Sequence, residues 1–194
     1  LVEGTVTAIA RLAEARDPYT SGHQSRVAKI AHAIADELGH DDSFCEGVRI
    51  AGLIHDIGKI NVPAEILTKP GGLTDLEYAI IKTHPQVAHD VLRNIAFPWP
   101  VADYVVQHHE RLDGSGYPAG LHGPEILLGS CIIAIADVVE AMSSHRPYKV
   151  AAGIDAALLE IEQGAGRIYH LDAATACLTL FRKRGFALPT VVDL

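Results

Sequence analysis

Apolar residues in this chain recur at steps of three and four, the period of a helix, and hardly anywhere at steps of two. In TSGHQSRVAKIAHAIADELG, residues Val27, Ile30, Ala31, Ile34, Ala35 and Leu38 keep that step, and Gly39 supplies the stop. LTDLEYAIIKTH opens with Thr74 and Glu77 at the spacing of a capping box. PEILLGSCIIAIADVVEAMSS reads as a long, mostly buried helix with Pro124 in its first turn. GIDAALLEIEQG and DAATACLTLFRKRG read as two further helices, each ended by glycine. With no alternating pattern of useful length, no repeat and no linker, the expected fold is a single all-α domain. Residues 1–16 are expected to be a connecting helix from an upstream module, and 17–194 the domain itself. The basic run at 182–184 precedes Gly185 and reads as cations at a helix C-terminus facing water.

At 194 residues the chain is long enough to bury a sizeable core. A net charge of -8 argues against DNA, RNA or an anionic membrane as partner, since each needs a basic face. Any anionic substrate must therefore meet a local positive site. Cys45, Cys131 and Cys177 lie in or beside apolar segments and read as buried free thiols of a reducing compartment. No stretch is apolar enough to span a bilayer and no export pattern opens the chain, so a cytoplasmic location is expected for this segment. The missing initiator Met points to a piece of a longer parent, which itself could be membrane-anchored.

Histidine is the outlier of the composition, with 11 residues against 16 Lys plus Arg. His23 shares the buried stripe of Val27, yet a lone histidine there is more often a hydrogen-bonded core residue than a ligand. RIAGLIHDIGKI is harder to dismiss, because Asp56 follows a continuous apolar run and a buried carboxylate needs a cation or hydrogen bonds. On a helix, His55 and Asp56 point about 100° apart, so they can grip a metal from two sides, and Lys59 lies one turn beyond His55. Asp137 sits among Ile135, Ala136, Val138 and Val139, a setting for a metal ligand or for an ion pair with a core arginine. His84 precedes Pro85 at a helix end, and His108 and His109 close an apolar run. Five imidazoles and two carboxylates in constrained places suit iron or manganese better than zinc, nickel or magnesium. His32, His40, His89, His122, His145 and His170 lack that context and read as surface or packing residues.

The HD pair at 55–56 followed by Lys59 resembles the HD superfamily of metal-dependent phosphohydrolases. HHERLDGSGYPAGL, with Gly116, Tyr117 and Pro118, makes the whole similar to an HD-GYP domain. RDPYTSGHQSRV, HDIGKINVPAEILTKPGGLT, KTHPQVAHDVL and ADVVEAMSSHRPYK support it, so the resemblance runs from about Arg16 to Lys149 and more weakly through YHLDAATACLTLF. It implies a helical HD-type domain with extra C-terminal helices and a GYP loop beside a buried metal site. It implies cyclic di-GMP as substrate, cut to linear pGpG with or without further cleavage to GMP, and an upstream regulatory domain. It leaves open a homodimer, an HD phosphohydrolase for another cyclic dinucleotide or a guanine nucleotide, and a signalling module that binds metal or nucleotide with little turnover. One metal would take His23, His55, Asp56 and Asp137; the other would share Asp56 and take His84, His108 and His109. Members with a third metal carry a glutamate where this chain has Tyr19, which favours two ions. Glu140 stands where the family usually has Asp, a change expected to retune or weaken catalysis, and Ala88 stands where it usually has Gly.

Two cations sharing a water lower its pKa and hold a phosphodiester for in-line attack. Asp56, Asp137 and a hydroxide would cancel three of their four positive charges, leaving one for the scissile phosphate. Asp56 and Lys59 are the expected catalytic residues, Lys59 by steadying phosphate charge or protonating the leaving oxygen; a surface lysine is the plainer alternative. Arg146 and Lys149 resemble the family's contacts to the second phosphate, although RPYK alone would also suit a solvent-exposed turn. Arg111 is counted with them as a substrate contact. Tyr117 is expected to stack on a guanine or shape the pocket wall, with an ordinary packed tyrosine as the alternative.

Overall fold

The positions that repeat at helical spacing are the ones that leave water. The computed structural model describes residues 2–16, 22–144 and 151–188. Its helices are α1 (Val2–Arg16), α2 (His23–Glu37), α3 (Asp42–Ile54), α4 (Ala64–Leu67), α5 (Asp75–Ile81), α6 (His84–Leu92), α7 (Val101–Val106), α8 (Leu128–Ser143), α9 (Ile154–Gly164) and α10 (Leu171–Lys183). Two 3-10 turns, Ile57–Asn61 and Gly123–Glu125, join them. Among the described residues there is no strand, only the isolated bridges Asp113–His122 and Ala165–Tyr169, so the domain is all-α as expected. Tyr19, His145, Arg146 and Lys149 lie outside the described residues.

The most apolar helix, α8, lies at the centre and packs against α2, α3, α7, α9 and α10. Ile132, Ile133, Ile135, Ala136 and Val139 are excluded from water there, and α2 adds Val27, Ile30, Ala31 and Ile34. Fully burying each such aliphatic side chain contributes roughly 1.5–3 kcal/mol. The long helix expected from Pro124 is in fact two elements. Pro124 sits in the 3-10 turn, Ile126 and Leu127 are extended, and α8 begins only at Leu128. Side chains explain the break: Glu125 accepts from the His122 amide at 2.8 Å, and Gln107 from the Leu127 amide at 2.8 Å.

Local signals elsewhere hold. Thr74 accepts from the Glu77 amide at 3.3 Å and Glu77 accepts from the Thr74 amide at 2.8 Å, so the capping box of α5 is reciprocal. In the basic run, Arg182 pairs with Glu162 and Arg184 with Glu37 at the surface. Cys45, Cys131 and Cys177 are free and buried. Among the described residues no helix is long and apolar enough to cross a membrane.

Two close contacts fix the segments that carry His23 and His84. Helix α1 packs on α3 and on the 57–61 turn, burying Val6 and Ala10, and its Glu14 carboxylate accepts from the amides of Gly22 and Gln24, each at 3.1 Å. Those amides are the unsatisfied donors at the start of α2, so α1 caps the helix that begins with His23. The 57–61 turn lies against α6 so closely that a Cβ on Gly58 would stand 1.9 Å from the His84 carbonyl oxygen and 2.8 Å from the Ala88 nitrogen. Only glycine allows that approach.

Candidate metal centre

Three histidines use one device. His55 follows the last residue of α3, His84 the end of α5, and His108 comes just after α7. In each, Nδ1 faces the carbonyl three residues back: Gly52 at 2.7 Å, Ile81 at 2.8 Å and Val105 at 2.6 Å. These carbonyls belong to last helical turns, where the regular intrahelical hydrogen bonding runs out. A carbonyl only accepts, so each Nδ1 carries the proton and each Nε2 carries a lone pair. All three Nε2 atoms are buried without a hydrogen-bond partner. An unsatisfied buried acceptor costs about 1–3 kcal/mol, and three in one place need a common compensation.

They converge on Asp56, itself 4 % exposed. Its Oδ1 lies 3.3 Å from His84 Nε2, while Oδ2 lies 3.5 Å from His55 Nε2 and 3.8 Å from His23 Nε2. The carboxylate thus turns one oxygen to each half of the cluster. Asp137, from the middle of α8, brings Oδ1 to 3.3 Å from His23 Nε2 and 4.0 Å from His55 Nε2. On the other side the His109 ring lies 4.0 Å from that of His108 and 5.1 Å from that of His84. Donor triples within 4.8 Å of one another are His23–His55–Asp137, His84–His108–His109 and His55–Asp56–His108. Metal bonds of about 2.0–2.2 Å put neighbouring donors roughly 3–3.5 Å apart, so the residues fit divalent ions.

The electrostatics agree. Burial drives the imidazole of His108 well below its ordinary range and that of His109 down to about 3, so both are neutral, as ligands must be. Burial works to raise Asp56 and Asp137, but Lys59 and the imidazoles outweigh it for Asp56, and His23, His55 and His109 for Asp137; both stay ionised. Lys59 Nζ is 2.6 Å from Asp56 Oδ2, one turn away in the 57–61 turn rather than on the helix of His55.

His23 is oriented differently. Its Nδ1 is hydrogen-bonded to Glu140, one turn beyond Asp137 and 1 % exposed, and Glu140 Oε1 also accepts from Arg26 Nε at 2.7 Å and Ser144 Oγ at 2.7 Å. Burial works to lower the His23 imidazole, yet Asp137 and Glu140 raise it to about 9. A carboxylate behind a ligating histidine fixes its ring and raises its basicity.

All seven expected ligands therefore share one cluster. Tyr117 stacks on His109, with ring centroids 4.7 Å apart at 28°, and its amide donates to the His109 carbonyl at 3.2 Å. Arg111 turns back onto its own loop: Nη1 donates to the Glu110 carbonyl at 2.8 Å, and the guanidinium lies 5.4 Å from the centre of the Tyr169 ring. The expected contacts Arg146 and Lys149 lie outside the described residues.

Two groups escaped the sequence reading. Glu110, 3 % exposed, accepts from the amides of Ala119 at 2.7 Å and Leu121 at 3.0 Å, tying the GYP loop back to the histidine pair. The loop passes so close that a Cβ on Gly116 would lie 2.4 Å from Glu110 Cα. An acid directly after two histidines was the available signal, but its partners are amides that no side-chain pattern marks. Glu140 stood out as a departure; its hold on His23, 117 residues away, was not legible.

Comparison with known proteins agrees with this geometry. A family model described as "HD domain" matches residues 7–175. A 3'3'-cGAMP-specific phosphodiesterase of Vibrio cholerae is 37 % identical over 97 % of this chain and 40 % of its own length. A cyclic di-GMP phosphodiesterase of Thermotoga maritima is 40 % identical over 87 % of this chain and 46 % of its own. The chain thus spans less than half the length of these relatives. The crystal structure of a cyclic GMP-AMP specific phosphodiesterase from V. cholerae superposes with a TM-score of 0.59 at 31 % identity, over 92 % of this chain and 40 % of that one. The helical frame, the convergent histidines and aspartates and the loop at 116–118 place this chain in the HD domain family, as a member of HD-GYP type.

Proposed function

We propose that the chain is the hydrolytic domain of a metal-dependent phosphodiesterase that opens cyclic di-GMP to linear pGpG. The observation that carries this reading is the set of three unpartnered Nε2 atoms gathered around one carboxylate. His23, His55 and Asp137 would hold one divalent ion and His84, His108 and His109 a second, with Asp56 beside both groups of donors. Imidazole mixed with carboxylate favours iron or manganese. When bound, such ions supply an activated water and neutralise the phosphate.

The chain's own residues do the rest. Asp56 and Asp137 are ionised and set the charge of the site, and imidazoles bound to metal would be neutral, filling coordination without cancelling it. Lys59, already on Asp56, is placed to steady phosphate charge and to return a proton to the ribose 3'-oxygen as the P–O bond breaks. Water adds to phosphorus, the 3'-hydroxyl leaves, and a linear dinucleotide with a 5'-phosphate results. Tyr117, fixed against His109, forms a wall of the pocket. An upstream regulatory domain belongs to the same proposal, supported by relatives of which the matched segment makes up 40 % and 46 %.

The test is metal analysis of protein purified anaerobically without chelators, coupled to cyclic di-GMP turnover. About two ions per chain are expected, with activity following occupancy and Asp56→Ala inactive. Equal rates for wild type and Asp56→Ala would remove the metal centre from the mechanism. A second reading, hydrolysis of 3'3'-cGAMP, draws support from the Vibrio relative of similar identity. Parallel turnover of both dinucleotides decides between them.

A further inference from the structure

Lys82 stands apart from the other lysines around the site. Lys59 holds Asp56 at 2.6 Å and Lys69 holds Glu77 at 2.7 Å. The Lys82 ammonium instead lies over two aromatic faces, 4.6 Å from the centre of the Tyr78 ring and 5.4 Å from that of Tyr117, and no carboxylate among the described residues pairs with it. Tyr78 is four residues earlier, so the two side chains share one edge of α5 as it ends. Both rings are within the distance at which a π-face attracts a cation. Their faces accept no strong hydrogen bond, which leaves ammonium N–H groups for water or an anion.

The position is specific. Tyr117 is itself stacked on His109, and the two steps of 5.4 and 4.7 Å keep the ammonium within about 10 Å of that ring. Tyr78 is 46 % exposed, so a tyrosine ring faces solvent beside this cation. In a chain of net charge -8, a lysine so placed is a local attraction for an anion reaching the metal centre.

We propose that Lys82, held between Tyr78 and Tyr117, contacts the second phosphate of a cyclic dinucleotide whose first phosphate lies at the metal centre, and that the exposed Tyr78 ring stacks on one of its bases. The inference rests on cyclic dinucleotide hydrolysis as the proposed function. A lysine–phosphate hydrogen bond is charge-assisted, and its loss costs about ten-fold or more in affinity. Base stacking on an aromatic ring is of similar size.

Metal-loaded wild type, Lys82→Gln, Lys82→Arg and Tyr78→Ala are compared on cyclic di-GMP and on bis(p-nitrophenyl) phosphate, a diester with neither a second phosphate nor a purine. Expected is a drop of about ten-fold in the ratio of the two kcat/KM values for Lys82→Gln and Tyr78→Ala, seen mainly in KM, with Lys82→Arg restoring most of it. An equal loss on both substrates would assign Lys82 to holding His84, two residues away, and overturn the proposal. An unchanged ratio in variants that cleave cyclic di-GMP as wild type does would also overturn it while leaving the proposed function standing. Wild type that cleaves only the simple diester would defeat the proposed function, and this inference with it.

Discussion

At the residue scale the site depends on how each imidazole is held from behind. His55, His84 and His108 are held by carbonyls of helix ends, and His23 by Glu140. Glu140, expected from the resemblance to be a departure at its position, thus reaches His23 with its carboxylate. Glu140→Gln is expected to weaken metal binding by about 10–100-fold, measured by competition with a chelating dye. The same pair sets a pH signature of metal-free protein. Burial works to raise the Glu140 carboxyl, but His23, Ser144 and Arg26 hold it at about 2 against an ordinary 4.5. Its contribution to stability is therefore present above pH 4.5 and lost as pH falls toward 2. His23, raised to about 9 from 6.5, contributes fully below pH 6.5 and loses that contribution as pH rises through 9. Melting temperatures of metal-free protein should fall on both flanks, and Glu140→Gln should flatten both. An unaltered profile in the variant would refute the pairing.

At the element scale, the close approach of the 57–61 turn to α6 sets the distance between Asp56 and His84. Gly58→Ala puts a methyl carbon where the His84 carbonyl oxygen stands, and one element must move. A loss of about 1–3 kcal/mol in urea unfolding is expected, together with fewer ions bound per chain. Ala88 is fully buried on the facing side, and its backbone nitrogen would stand 2.8 Å from a Cβ at 58. Retention of both stability and metal content in Gly58→Ala would show that α6 can shift without disturbing the ligands.

At the scale of the whole molecule, the candidate metal centre gathers side chains from residues 23 to 137 and so links segments far apart in the chain. A ligand that binds only the native state stabilises it by mass action, about 2.7 kcal/mol when present at 100 times its Kd. Removal of metal by a chelator should lower the melting temperature, with recovery on adding manganese or ferrous iron. Asp56→Ala should lose that response. A chelator-insensitive melting temperature in metal-loaded wild type would mean that the cluster holds no ion of consequence to the fold.

Helix periodicity, the capping box at Thr74 and the buried character of His23, His55 and Asp56 were readable from composition and spacing, because they depend on neighbours within a turn or two. The ordered HD and GYP blocks brought with them the seven residues that cluster here. Packing alone decided the division of Asp56's two oxygens between the halves of the cluster, the grip of Glu140 on His23, the tie of Glu110 to the GYP loop, and the break between Pro124 and α8. Each of these depends on which amide, carbonyl or carboxylate arrives from a remote segment. Local periodicity carries no record of that meeting, since hydrogen-bond geometry is set only after the helices have docked.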